Sequence, residues 1–379
     1  MIYLDNAATS FPKPRTVYEA LCEGARVYGG NPGRGGHRLA SASAEAVYNA
    51  RESIARLFHF DRPDRVIFTH NATEALNTAI KGLAPPRSNI LISDIEHNSV
   101  RRAALAAEKK GCTCSVYKTC GDKDMTLRSL SRSISPDTRV IVACHRSNIC
   151  GRELPINEIG KLCRKRGISF IIDASQSAGG CDIDFIKTGA NILCAPGHKG
   201  LLGIMGSGFM LISPKLDPAD FDTLFEGGSG VDSRSDDMPP VFPERLEAGT
   251  LPVPAICALA AGVGYIESVG INEIEEHENY LRNRAAERLG NINKVELYLP
   301  EEAGGSILLF NIKGVDPERT AALLDSPFGI CSRAGLHCSP LAHESIGTPP
   351  EGAVRISFGP FNTTSDVTAL INGVNSIAK

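Results

Sequence analysis

Lys199 follows His198 in a glycine turn, Ala195-Pro196-Gly197-His198-Lys199-Gly200. It lies 26 residues after Asp173, which closes the apolar run Ile168-Ser169-Phe170-Ile171-Ile172. A lysine in a tight turn can hold an aldehyde as a Schiff base. A carboxylate at the end of a buried strand can keep a pyridine nitrogen protonated, which makes the ring an electron sink. Together the two residues outline a site for pyridoxal phosphate (PLP). The competing reading is a surface lysine after a turn and an aspartate that caps a helix.

Other residues carry chemistry of the same kind, each with a structural rival. Asn71-Ala72-Thr73-Glu74 opens a helix, whose free N–H groups and Thr73 hydroxyl could bind a phosphate; a simple helix cap is the rival. His97 follows a strand and could stack on the PLP ring or move a proton. Asn148 and Gln176 also lie beyond strands and could hydrogen-bond the phenolic oxygen of PLP, or merely polarise turns. Arg355 is a charge inside the apolar run Ala353-Val354-Arg355-Ile356-Ser357, where it is costly unless paired. A bidentate grip on a substrate carboxylate suits it, with Arg333 as the alternative residue; a structural ion pair is the rival. In Ser332-Arg333-Ala334-Gly335-Leu336-His337-Cys338 the thiol is expected to be accessible and open to activation by nearby positive charge, or else inert.

These residues need a scaffold that gathers them. Strands are predicted at 66–69, 89–93, 139–143, 168–172, 192–194 and 208–212, alternating with helices at 73–81, 99–110 and 156–166. Short apolar strands separated by helices imply a mainly parallel sheet covered on both faces. Ligands of such sheets sit beyond the carboxyl ends of the strands. Asn71 to Thr73, Glu96-His97, Ser147-Asn148, Asp173 and Lys199 all fall there. After Thr250 helices are predicted at 254–268, 272–289, 317–324 and 365–377, with strands at 295–298, 307–310 and 354–358. This second part reads as α+β. Residues 227–243, rich in Gly, Pro, Ser and Asp, read as a long loop.

The chain has 379 residues, 42% of them hydrophobic and 22% charged, which suits a globular protein of two domains. A net charge of −3 gives no reason to expect nucleic acid or an anionic membrane as partner. No stretch approaches the roughly 18 apolar residues of a spanning helix. Met1 to Asn6 shows no basic region leading into an apolar one, so a cytoplasmic location is expected. Twelve cysteines are scattered without a Cys-x-x-Cys pair, so no metal site is expected. Cys144, Cys194 and Cys257 read as buried small hydrophobes.

The motifs in order resemble one family, the cysteine desulfurases among the class-V, fold-type I PLP enzymes. They are most similar to the group-II, SUF-like branch. The resemblance runs through Tyr3-Leu4-Asp5-Asn6-Ala7-Ala8-Thr9, Asn31-Pro32-Gly33-Arg34, Asn71 to Asn77, Glu96 to Ser99 and Ser147-Asn148. It continues through Asp173 to Gly179, Gly197 to Gly200, Arg245 to Thr250 and Arg333 to Cys338. It implies an α/β fold: a large PLP-binding domain with a mainly parallel, seven-stranded-type sheet between helices, plus a smaller α+β domain. The expected division is 1–18 joining the small domain, 19–253 as the large domain, and 254–379 as the small domain carrying the cysteine loop and the substrate arginine.

The resemblance also implies roles. Lys199 is the Schiff-base lysine, Asp173 the pyridine partner and His97 the stacking residue; Gln176 and Asn148 reach the phenolic oxygen. Ala72, Thr73 and His198 hold the phosphate, and Thr250 completes the site of the partner in a homodimer. Arg355 binds the substrate carboxylate, with Arg333 and Asn148 nearby. Cys338 takes sulfur from L-cysteine as a persulfide, leaving L-alanine, for transfer to an acceptor protein. Pro196 departs from the pattern, since many relatives carry a Ser or Thr phosphate ligand there and proline offers no donor; Ser175 or backbone amides are expected to compensate. Leu251-Pro252 also replaces a polar residue. Two other functions remain open. One is a lyase acting on selenocysteine, cysteine or cystine, or an aminotransferase or epimerase, with Cys338 dispensable. The other is a non-catalytic PLP-fold scaffold or sulfur-relay partner.

Overall fold

The computed structural model describes the chain except Arg34, Cys120, Asp232 and Glu301. Arg34 of the Asn31-Pro32-Gly33-Arg34 motif therefore lies outside the described residues. The chain begins with β1 (Ile2–Tyr3), α1 (Arg15–Val27) and α2 (Arg38–Leu57). The alternating part follows: β2 (Val66–Thr69), α3 (Ala72–Leu83), β3 (Asn89–Ser93), α4 (Asn98–Ala106), β4 (Thr113–Tyr117), α5 (Lys123–Ser133), β5 (Thr138–Cys144), α6 (Ile156–Arg166), β6 (Ser169–Asp173), α7 (Phe185–Thr188), β7 (Ile192–Pro196) and β8 (Gly208–Ile212). Two long helices, α8 (Val253–Val269) and α9 (Ile271–Gly290), lead to β9 (Val295–Leu297), β10 (Ile307–Ile312), α10 (Pro317–Asp325), β11 (Ile330–Cys331), β12 (Arg333–Gly335), α11 (Pro340–Ile346), β13 (Ala353–Ser357) and α12 (Thr364–Ala378).

The large sheet has seven strands in the order β2-β8-β7-β6-β5-β3-β4. All neighbours are parallel except β8, which runs antiparallel to β2 and β7. Its apolar runs follow from burial on both faces, because successive side chains point to opposite sides. Leu91, Ile141, Phe170, Ile172 and Leu193 enter one apolar cluster. Their neighbours Ile90, Ile92, Val140, Val142, Ile171 and Ile192 enter the other. A third cluster joins β10, β13, α9 and α12 through Leu308, Phe310, Val354, Leu281 and Leu370. It lies on the four-stranded antiparallel sheet β12-β13-β10-β9. The N-terminal strand joins this part, since Ile2 pairs with Ile330 and Leu4 enters the third cluster.

Two features depart from the sequence reading. α8, grouped with the second part by position, packs Val253, Ile256, Leu259, Val263 and Ile266 into the first cluster of the large sheet. Gly262 permits this approach, since a Cβ there would collide with the Leu201 carbonyl oxygen of the loop that carries Lys199. α9, β10 and β13 bridge the cores: Ile274, Leu309 and Ala353 lie in the first cluster, and their element neighbours Leu281, Leu308 and Val354 in the third. The second departure is Cys257, which is partly exposed, whereas Cys144 and Cys194 are buried as expected. The described residues of 227–243 form neither helix nor strand. Among the described residues no single helix is long and apolar enough to cross a membrane.

Candidate active site

A cavity of about 100 Å³ opens at the carboxyl ends of the large-sheet strands. Its walls come from the start of α3 (Ala72, Thr73), the loop before α4 (His97), Asn148, the end of β6 (Asp173, Ser175, Gln176) and the turn after β7 (His198, Lys199). The sheet makes this gathering unavoidable, since every strand but β8 ends on the same side. Asp173 is buried at its strand end, and its Oδ1 accepts from the Ser175 amide at 2.9 Å. Burial lowers the pKa of Lys199 to about 8, with Arg355 and Arg333 pushing the same way and Asp173 opposing them. The lysine is thus readily neutral, as a nucleophilic amine requires.

His97 caps α4. Its Nδ1 accepts from the Ser99 amide at 3.1 Å and lies 2.8 Å from the Ser99 hydroxyl. A backbone N–H can only donate, so the proton of neutral His97 sits on Nε2. Burial lowers the His97 pKa, against the pull of Asp173.

The phosphate end can be tested by its donors. Asn71 caps α3 through Oδ1, which accepts from Glu74 N at 2.9 Å. The first-turn amides of Ala72 and Thr73 have no helix carbonyl to serve them, and both residues line the cavity. His198 Nδ1 is buried without a hydrogen-bond partner. An orphaned ring nitrogen beside a helix start suits an anion. Pro196 lines the same wall without a donor, and Ser175 brings its hydroxyl there. Lys13, absent from the sequence reading, braces this corner: its Nζ donates to the His198 carbonyl and the Ser10 hydroxyl, both at 2.7 Å.

The remaining predicted residues divide. Gln176 donates to the Ala7 carbonyl at 2.9 Å, leaving one N–H for a ligand. Asn148 lines the cavity and also holds the cysteine loop, keeping one Nδ2 hydrogen for a ligand. Nδ2 donates to the His337 carbonyl at 3.0 Å, and Oδ1 accepts from the Ser339 hydroxyl at 2.9 Å. Cys338 is exposed, and its carbonyl accepts from the Asn98 amide at 2.7 Å, so the thiol loop is docked on the residue after His97. Thr250 is exposed, accepts from Asn31 at 3.3 Å and is not among the residues lining this cavity.

Arg355 is buried, and here the ion-pair reading holds. Nη2 donates to Asp5 at 2.9 Å and Nη1 to the Asn148 carbonyl at 3.0 Å. Nε is buried without a partner, so the guanidinium keeps donors for an anion. Arg333 lies directly opposite Arg355 in the β12–β13 register. Two like charges in that position repel unless an anion sits between or near them. No local pattern marks Asp5 for this pairing, because its partner lies 350 residues away. Asp5→Asn should cost about 3 kcal/mol of stability, since it strands a buried cation. Urea unfolding checks this, and an unchanged midpoint would show that Arg355 does not depend on the pair.

Comparison with known proteins shows the family and the fold. The aminotransferase class-V family model matches residues 2–370. A probable cysteine desulfurase of Methanothermobacter thermautotrophicus is 30% identical over 381 residues, covering 100% of this chain and 94% of that protein. One from Pyrococcus abyssi is 30% identical over 386 residues, with 100% and 94% covered. Among solved structures, the apo cysteine desulfurase of Thermococcus onnurineus superposes with a TM-score of 0.89 at 30% identity, covering 100% of this chain and 94% of that one. The Escherichia coli cysteine desulfurase CsdA, in an S-sulfonic acid form, gives 0.88 at 26% identity, with 99% and 94% covered.

Proposed function

Because the chain belongs to the aminotransferase class-V family, we propose that it is a PLP-dependent cysteine desulfurase of the group-II, SUF-like kind. It takes L-cysteine, releases L-alanine and leaves the sulfur on Cys338 as a persulfide for an acceptor protein. The observation that carries this reading is the docking of the Cys338 loop. Asn148 and Asn98 hold the main chain of the loop that carries the exposed Cys338, and Asn148 itself lines the cavity with Lys199 and Asp173. The four probable or solved cysteine desulfurases above support it.

PLP, when bound, supplies a ring that accepts the electron pair released at the substrate Cα. Lys199 would hold its aldehyde and Asp173 would keep its nitrogen protonated. His97 would pack against the ring, Gln176 would offer its remaining N–H to the phenolic oxygen, and Ala72, Thr73 and His198 would hold the phosphate. Arg355, with Arg333, orients the substrate carboxylate. Lys199, once free, removes the Cα proton. The Cys338 thiolate then attacks the substrate sulfur: an S–S bond forms and the C–S bond breaks. The C–S electron pair stays with Cβ, which takes up a proton equivalent to the one released by the Cys338 thiol, and Lys199 returns the other proton to Cα; Lys199 and His97 Nε2–H are the groups that carry them. The reading includes a homodimer in which Thr250 completes the partner's site, and a cytoplasmic location, whose reducing conditions keep thiols available.

A screen with L-cysteine, cystine and selenocysteine, following sulfide and alanine together, tests the reading. Alanine with protein-bound persulfide supports it. Pyruvate and ammonia would assign a lyase, and absence of both turnover and PLP absorption would assign a non-catalytic role.

Two further results are expected. Arg355→Lys should raise KM for L-cysteine about ten- to a hundred-fold, because lysine keeps the charge and loses the planar fork. Cofactor occupancy should stay normal; an unchanged KM would move the carboxylate to Arg333. PLP capture by the apo-protein should accelerate as pH rises through about 8, because the amine of Lys199 reacts only when deprotonated. Stopped-flow absorbance reads this, and a flat profile across that range would contradict it.

A further inference from the structure

Behind Cys338 lies a pair of buried histidines that the mechanism does not use. His337 and His343 are both buried, with their rings stacked at 5.5 Å and 14°. Three hydrogen bonds thread them. His337 Nε2 is 3.3 Å from the Arg333 carbonyl, His337 Nδ1 is 3.3 Å from His343 Nε2, and His343 Nδ1 is 2.8 Å from the Thr348 hydroxyl.

Donor accounting gives this chain one direction. A carbonyl only accepts, so His337 carries its proton on Nε2 and offers a lone pair at Nδ1. His343 must then donate from Nε2, which leaves its own Nδ1 to accept from Thr348. Burial, with Arg355 nearby, lowers both pKa values, to about 3 for His337 and about 4 for His343, so both rings are neutral near pH 7. The chain runs Thr348 to His343 to His337 to the Arg333 carbonyl.

The backbone explains what this chain holds. His337 and Cys338 have φ of +49° and +58°. Consecutive non-glycine residues in the left-handed region persist only where surroundings over-determine them. Asn148, Asn98 and Ser339 fix the main chain at one side of the loop. The His337 ring, gripped by α11 through His343, fixes the other.

We propose that His343 is a positioning residue for Cys338: it clamps the His337 ring and so holds the left-handed turn that presents the thiol to the site. The inference rests on Cys338 being the sulfur-accepting residue.

The test uses the holoenzyme with His343→Gln, His343→Asn and His343→Phe. Glutamine places an N–H near the position of imidazole Nε2 and restores the bond to His337. Asparagine reaches only the Nδ1 position, and phenylalanine restores neither. The Asn and Phe variants should lose about tenfold or more in kcat for L-cysteine, with KM, cofactor absorption and melting temperature near those of the unmodified enzyme. Hydrogen exchange should speed up in the peptide spanning residues 336–340, and His343→Gln should recover both. Unmodified kcat and loop exchange in the Asn variant, or a Gln variant no better than Asn, would overturn the proposal. If Phe does not fold, the Gln and Asn comparison decides. If even the unmodified enzyme makes no alanine, the desulfurase reading fails, while the exchange comparison still decides the clamp.

Discussion

Cys338→Ser is expected to abolish alanine formation from L-cysteine while PLP remains bound. The physical reason is a division of labour. Lys199 and the residues around it prepare the substrate carbon, but the sulfur leaves only when a thiolate takes it. A serine hydroxyl keeps the shape of the loop but is neither ionised near neutral pH nor able to form the S–S bond. Loss of a nucleophile costs on the order of 10³-fold or more in kcat. The contacts that dock the loop run through the main chain of residues 337 and 338 and through Ser339, so the substitution leaves them in place. Alkylation after addition of L-cysteine should locate a persulfide on Cys338 in the unmodified enzyme. Selenocysteine cleavage is expected to survive the change better, since selenium leaves more readily. A serine variant that still makes alanine at the unmodified rate would remove the persulfide route and leave a lyase.

Lys199→Ala should lose both cofactor and catalysis. In the unmodified protein, borohydride should fix a pyridoxyl adduct on Lys199, found in a reduced digest by mass spectrometry. The alanine variant should show no such adduct, and its PLP should wash out on dialysis. Turnover should fall by at least about 10²–10⁴-fold, the usual worth of a placed general base, with the loss of covalent attachment added to it. Adduct formation at a different lysine would displace the whole site assignment. Burial lowers the pKa of Lys199 to about 8; Asp173 opposes this, while Arg355 and Arg333 add to it.

Much of the scaffold is legible in the sequence because its determinants are local. Strands buried on both faces must be apolar throughout, and so 89–93 and 208–212 coincide with β3 and β8. β4 was not legible, since Thr113–Tyr117 is a half-exposed edge strand with no apolar run. The allegiance of α8 was not legible either. A helix apolar on nearly every side reads the same whichever core it enters, and only the close approach at Gly262 assigns it to the large sheet.

The candidate site divides along the same line. Residue types set next to turns, such as His198-Lys199 and Asp173, and motif order by itself determined the chemistry to expect, because strand ends of a parallel sheet share one side. What those residues spend their hydrogen bonds on is a matter of distant partners. Asp5 reaches Arg355 across 350 residues, and Asn148 holds the Cys338 loop across 189 residues through the His337 carbonyl. Hydrogen bonds and ion pairs act over about 3 Å, so their partners are set by where the folded chain brings two segments together, and no local pattern of residues encodes that.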